Sequence, residues 1–195
     1  MAVTVEPLTG PDFEAALDDL ARLRIHVFRD FPYLYDGTRD YEAKYLDRFA
    51  RAKDGLIVAA RDGDRIVGCA TGSALSAHHA EFAAPFRAVG YELEDIFYCG
   101  ESVLLVKYRG RGIGHAFFDR REAHARARGY KRVAFCAVVR PADHPLKPAD
   151  YRPLDGFWQR RGYRRVEGLV TQFAWKDIDQ DGETDKPMQF WMRDL

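Results

Sequence analysis

Residues 96–139 constrain the chain more than any other stretch. Ile96 to Val106 reads as a long strand that runs through Lys107-Tyr108-Arg109-Gly110-Arg111-Gly112-Ile113-Gly114 into a helix. That helix carries Ile113, Ala116, Phe117, Ala123 and Ala127 and is capped by Gly129. Lys131 to Val139 then gives Val133-Ala134-Phe135-Cys136-Ala137-Val138-Val139, an apolar run without the alternation of a half-exposed strand. A strand of that kind is buried on both faces, and strand–helix–strand of this size is a parallel crossover unit. With 195 residues, 47% of them apolar and 13% aromatic, the chain can build one core around that unit. A single domain over 1–195 is expected.

The flanks of the unit are antiparallel in character. Val3-Thr4-Val5 is a short opening strand, and Gly10-Pro11-Asp12 starts a helix with Leu17, Leu20, Leu23, Val27 and Phe28 on one side, ending before Pro32. An aromatic loop, Phe31-Pro32-Tyr33-Leu34-Tyr35-Asp36-Gly37, separates it from a second helix over Asp40 to Phe49. Leu56 to Ala60 and Arg65 to Leu75 are strands joined by Arg61-Asp62-Gly63-Asp64, whose Asp-Gly favours a tight hairpin. His78 to Gly90 reads as a helix or an irregular insertion, with His78-His79 at a solvated helix start. Beyond the buried strand, Arg140 to Arg152 is a loop, a short helix ends at Gly162, and Tyr163 opens another strand. The Asp- and Gly-rich stretch Trp175 to Lys186 connects to a last strand, Met188 to Met192. The expected fold is α/β, a mixed sheet with the parallel unit flanked by antiparallel strands.

Charge narrows the function classes. Thirty Lys+Arg balance thirty Asp+Glu, so the overall balance supports neither nucleic-acid nor membrane binding. The distribution is uneven: residues 1–106 carry eleven basic and eighteen acidic side chains, whereas 107–139 carry nine basic and two acidic. A unit of charge +7 thus sits around the glycine loop. Twenty-three of the thirty basic residues are Arg, a bias put down to genome composition. No apolar window is long enough to span a membrane, and the start lacks the charged and apolar regions of a signal peptide, so a cytoplasmic protein is expected. Cys69, Cys99 and Cys136 are widely spaced within apolar runs, as reduced core thiols are. With no second His or Cys near His144 at metal-ligand spacing, no metal is expected. A homodimer is left open.

Backbone N–H groups at a helix N-terminus, with glycines that admit another molecule closely, make an anion site. Arg109 to Gly114 occupies that position, and a plain turn has no need of three glycines and two arginines together. A Walker loop requires Gly-Lys-Ser or Gly-Lys-Thr, which the chain lacks. The dinucleotide fingerprint GxGxxG fits poorly, because His115 stands at the third glycine position; Arg140 after the next strand would suit NADP, which keeps an NADP-binding oxidoreductase as an alternative. The third pattern, (Arg/Gln)-x-x-Gly-x-(Gly/Ala), is met in full by Arg109-Gly110-Arg111-Gly112-Ile113-Gly114.

On that loop, and on Phe157-Trp158-Gln159-Arg160-Arg161-Gly162-Tyr163, which is similar to the motif Phe-Tyr-x-x-x-Gly-Phe, the chain resembles the GNAT superfamily of N-acetyltransferases. The order of elements matches over most of the chain. The resemblance implies an acetyl-CoA-dependent N-acyltransferase acting by direct attack of a primary amine of a small molecule or peptide. It also implies that backbone groups of Ser102, Val103 and Leu104 face the acyl and pantetheine part, and that Gly110, Arg111, Gly112, Ile113, Gly114 and His115 cradle the pyrophosphate, with Arg109 opening the loop. A non-catalytic acyl-CoA-binding module is the other alternative. It is motivated by Trp158 where the family has its Tyr acid and by Tyr151 where it often has Asn.

Acyl transfer to an amine needs a neutral amine, a polarised carbonyl and a departing thiolate. Amines near pKa 10 are mostly protonated at neutral pH, so a base is required. Glu101, where relatives commonly carry an acid, is the first candidate, and Tyr98 on the same strand the second. Trp158 has no useful proton to give; Tyr151 or His144 is the expected substitute. The resemblance places acceptor recognition in Phe31 to Asp36 and Arg140 to Arg152, hence Tyr33, Tyr35, Arg140 and His144.

Overall fold

The structure, a computed structural model, describes residues 2–195. Its elements are β1 (Thr4–Leu8), α1 (Gly10–Phe28), α2 (Arg39–Arg51), β2 (Leu56–Asp62), β3 (Arg65–Ala74), α3 (Ala80–Ala88), β4 (Ile96–Leu104), α4 (Ile113–Ala127), β5 (Arg132–Val138), α5 (Asp155–Arg160), β6 (Arg164–Lys176) and β7 (Glu183–Asp194). The seven strands form one sheet in the order β1-β2-β3-β4-β5-β7-β6, antiparallel throughout except for β4 with β5. The expected mixed α/β sheet with a parallel strand–helix–strand unit is thus present.

Local chemistry accounts for the helices that flank the site. Helix α1 has Pro11 in its first turn, where a missing N–H costs nothing. In α2 the Thr38 hydroxyl accepts from the Tyr41 N–H at 3.4 Å, with Asp40 and Glu42 in the first turn and Arg48 and Arg51 in the last, each on the favourable end of the dipole. Both helices pack Phe13, Leu20, Leu46 and Phe49 over Ile57, Cys69 and Val103 on one face of the sheet. Helix α4 covers the other face through Ile113, Phe117 and Phe118, against Val58, Val67, Phe97 and Val133.

Three boundaries differ from expectation. Strand β4 ends at Leu104, because Val106–Tyr108 turns into a short 3-10 helix that buries Tyr108 and lets its hydroxyl donate to Asp62 Oδ2 at 2.7 Å. The connector expected over Trp175 to Lys186 shrinks to 177–182, and the last strand lengthens to Glu183–Asp194. Lys186 can lie inside that strand because its ammonium donates to the carbonyls of Trp175 and Thr184, each at 2.8 Å. The three cysteines are buried and unpaired.

Candidate functional site

Strands β4 and β5 pair only from Ile96 opposite Arg132 to Tyr98 opposite Ala134, and then part. On its other side β4 faces β3 with Cys99 opposite Gly72 but Ser102 opposite Ala70, so β4 carries one extra residue, a bulge at Gly100 and Glu101. The bulge is held from below by Arg121 of α4, which is 1% exposed. Its guanidinium donates to the carbonyls of Glu101 (2.9 Å) and Thr71 (3.3 Å) and to Ser102 Oγ (2.8 Å). A Cβ on Gly100 would lie 2.5 Å from Phe49 Cζ and from Thr71 Oγ1, so only glycine fits there.

The glycine loop lies at the end of the same strand. Gly110 (φ +75°) and Gly112 (φ +81°) take the left-handed backbone, with open space where a Cβ would stand. The helical ladder of α4 begins with the Ala116 N–H donating to Gly112 C=O at 3.1 Å, so the amides of Ile113, Gly114 and His115 precede it as free helix-end donors. Arg109 Nε donates to Leu104 C=O (3.3 Å), and the Arg111 guanidinium lies 5.3 Å over the Tyr108 ring. The His115 ring is engaged elsewhere, 4.9 Å from Phe157 and with Nδ1 3.1 Å from Arg161 Nη1, which leaves its N–H as its contribution to the loop. Val103 is buried beneath α1 and α2, Leu104 packs toward α4, and the Ser102 hydroxyl serves Arg121.

Where β4 leaves β5, a cleft of about 520 Å³ opens on the α1–α2 face. Its walls include Tyr33, Tyr35, Tyr41, Tyr45, Phe82, Phe173 and Trp175, and Gly100 and Glu101 of the bulge reach it. Behind the aromatic rings lies a buried ionic group: Arg24 pairs through Nε with Glu42 and through Nη1 with Glu101. Tyr45 donates its hydroxyl to Glu101 Oε2 at 3.0 Å, and the Arg24 guanidinium sits 4.2 Å over the Tyr45 ring. Burial works against the Arg24 charge, but the two carboxylates overcome it and hold its pKa well above the usual arginine value. Glu42 is fully buried, held by Arg24 and by the Tyr35 hydroxyl, which donates to it.

The residues expected from sequence divide into two groups. Tyr33, Tyr35, Tyr98 and Glu101 line the cleft together. Burial raises the phenols of Tyr33, Tyr35 and Tyr98, with the Glu42 charge adding to the effect on Tyr35. Tyr98 is 1% exposed and its hydroxyl lies 3.0 Å from Cys136 Sγ. Tyr151 and His144 lie outside the cleft, against Phe31 at 4.7 and 5.7 Å between ring centroids. Arg140 is not a cleft residue either: it donates to the carbonyls of Pro32 and Tyr33, each at 2.7 Å, and to both Asp177 oxygens, so it clamps the loop that carries Tyr33. Trp158 packs on Phe135 (5.0 Å) and Trp191 (5.1 Å).

His78, expected on a solvated helix start, instead stacks on Tyr98 at 4.5 Å, and burial pushes its pKa down to about 3. Arg24, Glu42 and Tyr45 were not foreseen. A trace of them is present in the sequence: Arg24 falls in the apolar stripe of Phe13, Leu20 and Val27, and Glu42 in that of Leu46 and Phe49, each a charge where a core residue belongs. Among the described residues no cluster of His, Cys, Asp and Glu could hold a metal, and no helix is long and apolar enough to cross a membrane.

A bulged, splayed strand leading into an amide-rich helix end, with a cleft beyond the splay, defines the acyltransferase class. The chain belongs to the acetyltransferase (GNAT) family, whose model matches residues 20–149. None of the curated proteins matches it in sequence. Solved structures share the fold. A ribosomal-protein-alanine N-acetyltransferase from Brucella melitensis has a TM-score of 0.63 at 14% identity, covering 98% of this chain and 99% of its own. An N-acetyltransferase from Staphylococcus aureus has 0.63 at 14%, covering 100% and 99%. An acetyltransferase from Thermus thermophilus has 0.60 at 15%, covering 100% and 98%.

Proposed function

We propose that the protein transfers an acetyl group from acetyl-CoA to a primary amine by direct attack. The observation that carries this reading is the junction itself: β4 and β5 part after Tyr98 and Ala134, and the parted strand borders the aromatic cleft at Gly100 and Glu101 before it leads into the glycine loop. The loop suits the pyrophosphate, because the backbone at Gly110 and Gly112 is open where side chains would otherwise stand. The thioester supplies an activated acyl group. The unpaired edge of β4 beyond Tyr98 offers main-chain donors and acceptors to the pantetheine.

Glu101 is the group assigned to take the ammonium proton. It stands on the bulge, at the cleft end of the parted strand, where Arg24 pairs with it from behind. His78 is the weaker choice for the role, since burial pushes its pKa down to about 3 and leaves the imidazole little affinity for the ammonium proton. Trp158 is committed to the core, and a thiol of pKa about 8.5 leaves acceptably without an acid. That same packing of Trp158 is what favours the second reading, an acyl-CoA-binding module without turnover. Calorimetry with acetyl-CoA, followed by an assay for free CoA over a panel of primary amines, separates the two. Binding with turnover supports the enzyme, binding without turnover the module, and tight NADP binding without acetyl-CoA binding rejects both.

A further inference from the structure

We infer that Tyr45 is a positioning residue for Glu101, its hydroxyl fixing the carboxylate so that Oε2 keeps one lone pair for the acceptor ammonium. This deepens the acyl-transfer reading and rests on it. The two residues stand 56 positions apart in the chain and meet because α2 touches the bulge of β4 at consecutive residues. The Phe49 ring occupies the space that a Cβ on Gly100 would take, and the Tyr45 hydroxyl donates to Glu101 Oε2 at 3.0 Å. Glu101 Oε1 faces Arg24 Nη1 instead. The Glu101 side chain is only 5% exposed, so its protein partners rather than water set its orientation. A carboxylate oxygen has two acceptor positions, and Tyr45 uses one of those on Oε2, which leaves the other for an incoming N–H.

Tyr45 is built to hold rather than to react. Residues 41, 45 and 49 fall on one line of α2, and their rings form a ladder: Tyr41 stacks on Tyr45 at 6.4 Å and Phe49 packs on it at 5.1 Å. The Arg24 guanidinium lies 4.2 Å over the face of the same ring. Burial, and after it the Glu101 charge, raise the phenol well above its usual pKa, so at neutral pH it stays an O–H and can only donate to the carboxylate. The terminal torsion of a glutamate is intrinsically broad. Contact with Arg24 at Oε1 alone would let the group pivot, whereas a charge-assisted bond from a fixed ring at Oε2 removes that freedom.

Tyr45→Phe removes one oxygen and keeps the ring ladder. Crystals of this variant should show Oε1 of Glu101 still at Arg24 and Oε2 displaced from its wild-type position by about 1 Å or more. In the free-CoA assay with n-pentylamine as the acceptor, kcat should fall at least about tenfold while KM for acetyl-CoA stays within about twofold. Adding Tyr45→Phe to Glu101→Gln should cost less than about twofold more, since without the base there is nothing left to position. An undisplaced carboxylate in the crystal, a wild-type kcat in Tyr45→Phe, or a full further loss in the double variant overturns the inference while leaving Glu101 as the base. Wild-type turnover in Glu101→Gln overturns the base assignment and the inference with it. Should n-pentylamine release no CoA from the wild type, the activity reading fails for this probe, and the crystal comparison alone decides whether Tyr45 orients Glu101.

Discussion

Replacing His78 by Phe tests whether the cleft floor is as dry as its packing implies. The imidazole centroid lies 4.5 Å from that of Tyr98, 4.9 Å from Phe82 and 5.3 Å from Phe49, so the ring is one member of an aromatic stack. Burial, followed by the charges of His79 and Arg48, lowers its pKa to about 3. The unfolded chain therefore takes up a proton first as pH falls, and the stability this group contributes is complete above about pH 6.5 and is lost toward pH 3. At pH 5 the unfolded state gains about 2 kcal/mol from protonating an ordinary imidazole while the native state gains almost nothing. His78 is partly exposed, and screening there brings the expectation to between about 1 and 2 kcal/mol. Urea unfolding of wild type and His78→Phe at about pH 7.5 and pH 5 isolates the term, because Phe keeps the stack and cannot titrate. The wild type should lose about 1 to 2 kcal/mol more than the variant between the two pH values. Equal losses would mean that the ring is protonated readily in the folded protein, and His78 would return as a candidate base.

Glu101→Gln keeps the hydrogen bond from Tyr45 and leaves Arg24 paired with Glu42, so the fold and the acetyl-CoA affinity should persist. Turnover of a high-pKa amine at neutral pH should fall about 10²-fold and recover in part as pH rises; a wild-type rate from about pH 6 to 9 would transfer the role to Tyr98. Gly112→Val forces a branched side chain into φ +81° at the pyrophosphate position, and calorimetry should show acetyl-CoA affinity reduced at least about tenfold, with NADP as the control ligand. Undiminished affinity would place the phosphates elsewhere. Trp158→Phe should cost about 1 to 3 kcal/mol in unfolding through lost packing on Phe135 and Trp191 while changing kcat little. For Trp158→Tyr, a rise in kcat of about 10² or more would show that an acid was missing from the native enzyme.

The strand–loop–helix–strand unit was legible because its features are local. Glycine spacing marks the loop, and an uninterrupted apolar run marks β5. The bulge at Gly100 and Glu101 was not, since a single extra residue leaves no imprint on periodicity and is defined only by the register with β3. The β6–β7 hairpin was under-read because Asp, Glu and Lys argue for a loop until a buried lysine such as Lys186 is seen to spend its donors on carbonyls. Tyr33, Tyr35 and Glu101, expected from the resemblance, line the cleft, whereas Arg140, expected on the same ground, does not. Its donors are in fact committed to Asp177 and to the backbone of the Tyr33 loop.

Three of the twenty-three arginines organise the candidate site. Arg24 joins α1 to Glu42 of α2 and Glu101 of β4, Arg121 ties α4 to both strands at the bulge, and Arg140 ties the end of β5 to the loop carrying Tyr33 and to Asp177. Each bridges three segments at once, which demands several donors in fixed directions from one buried side chain. A guanidinium meets that demand, whereas an ammonium on a flexible stem would leave carbonyls or carboxylates unmet at roughly 1–3 kcal/mol apiece. Two of the three contact Glu101, one at its carboxylate and one at its carbonyl. The position of that residue is therefore set by elements from both faces of the sheet. A carboxylate held in that way from two sides keeps its position at the edge of the cleft.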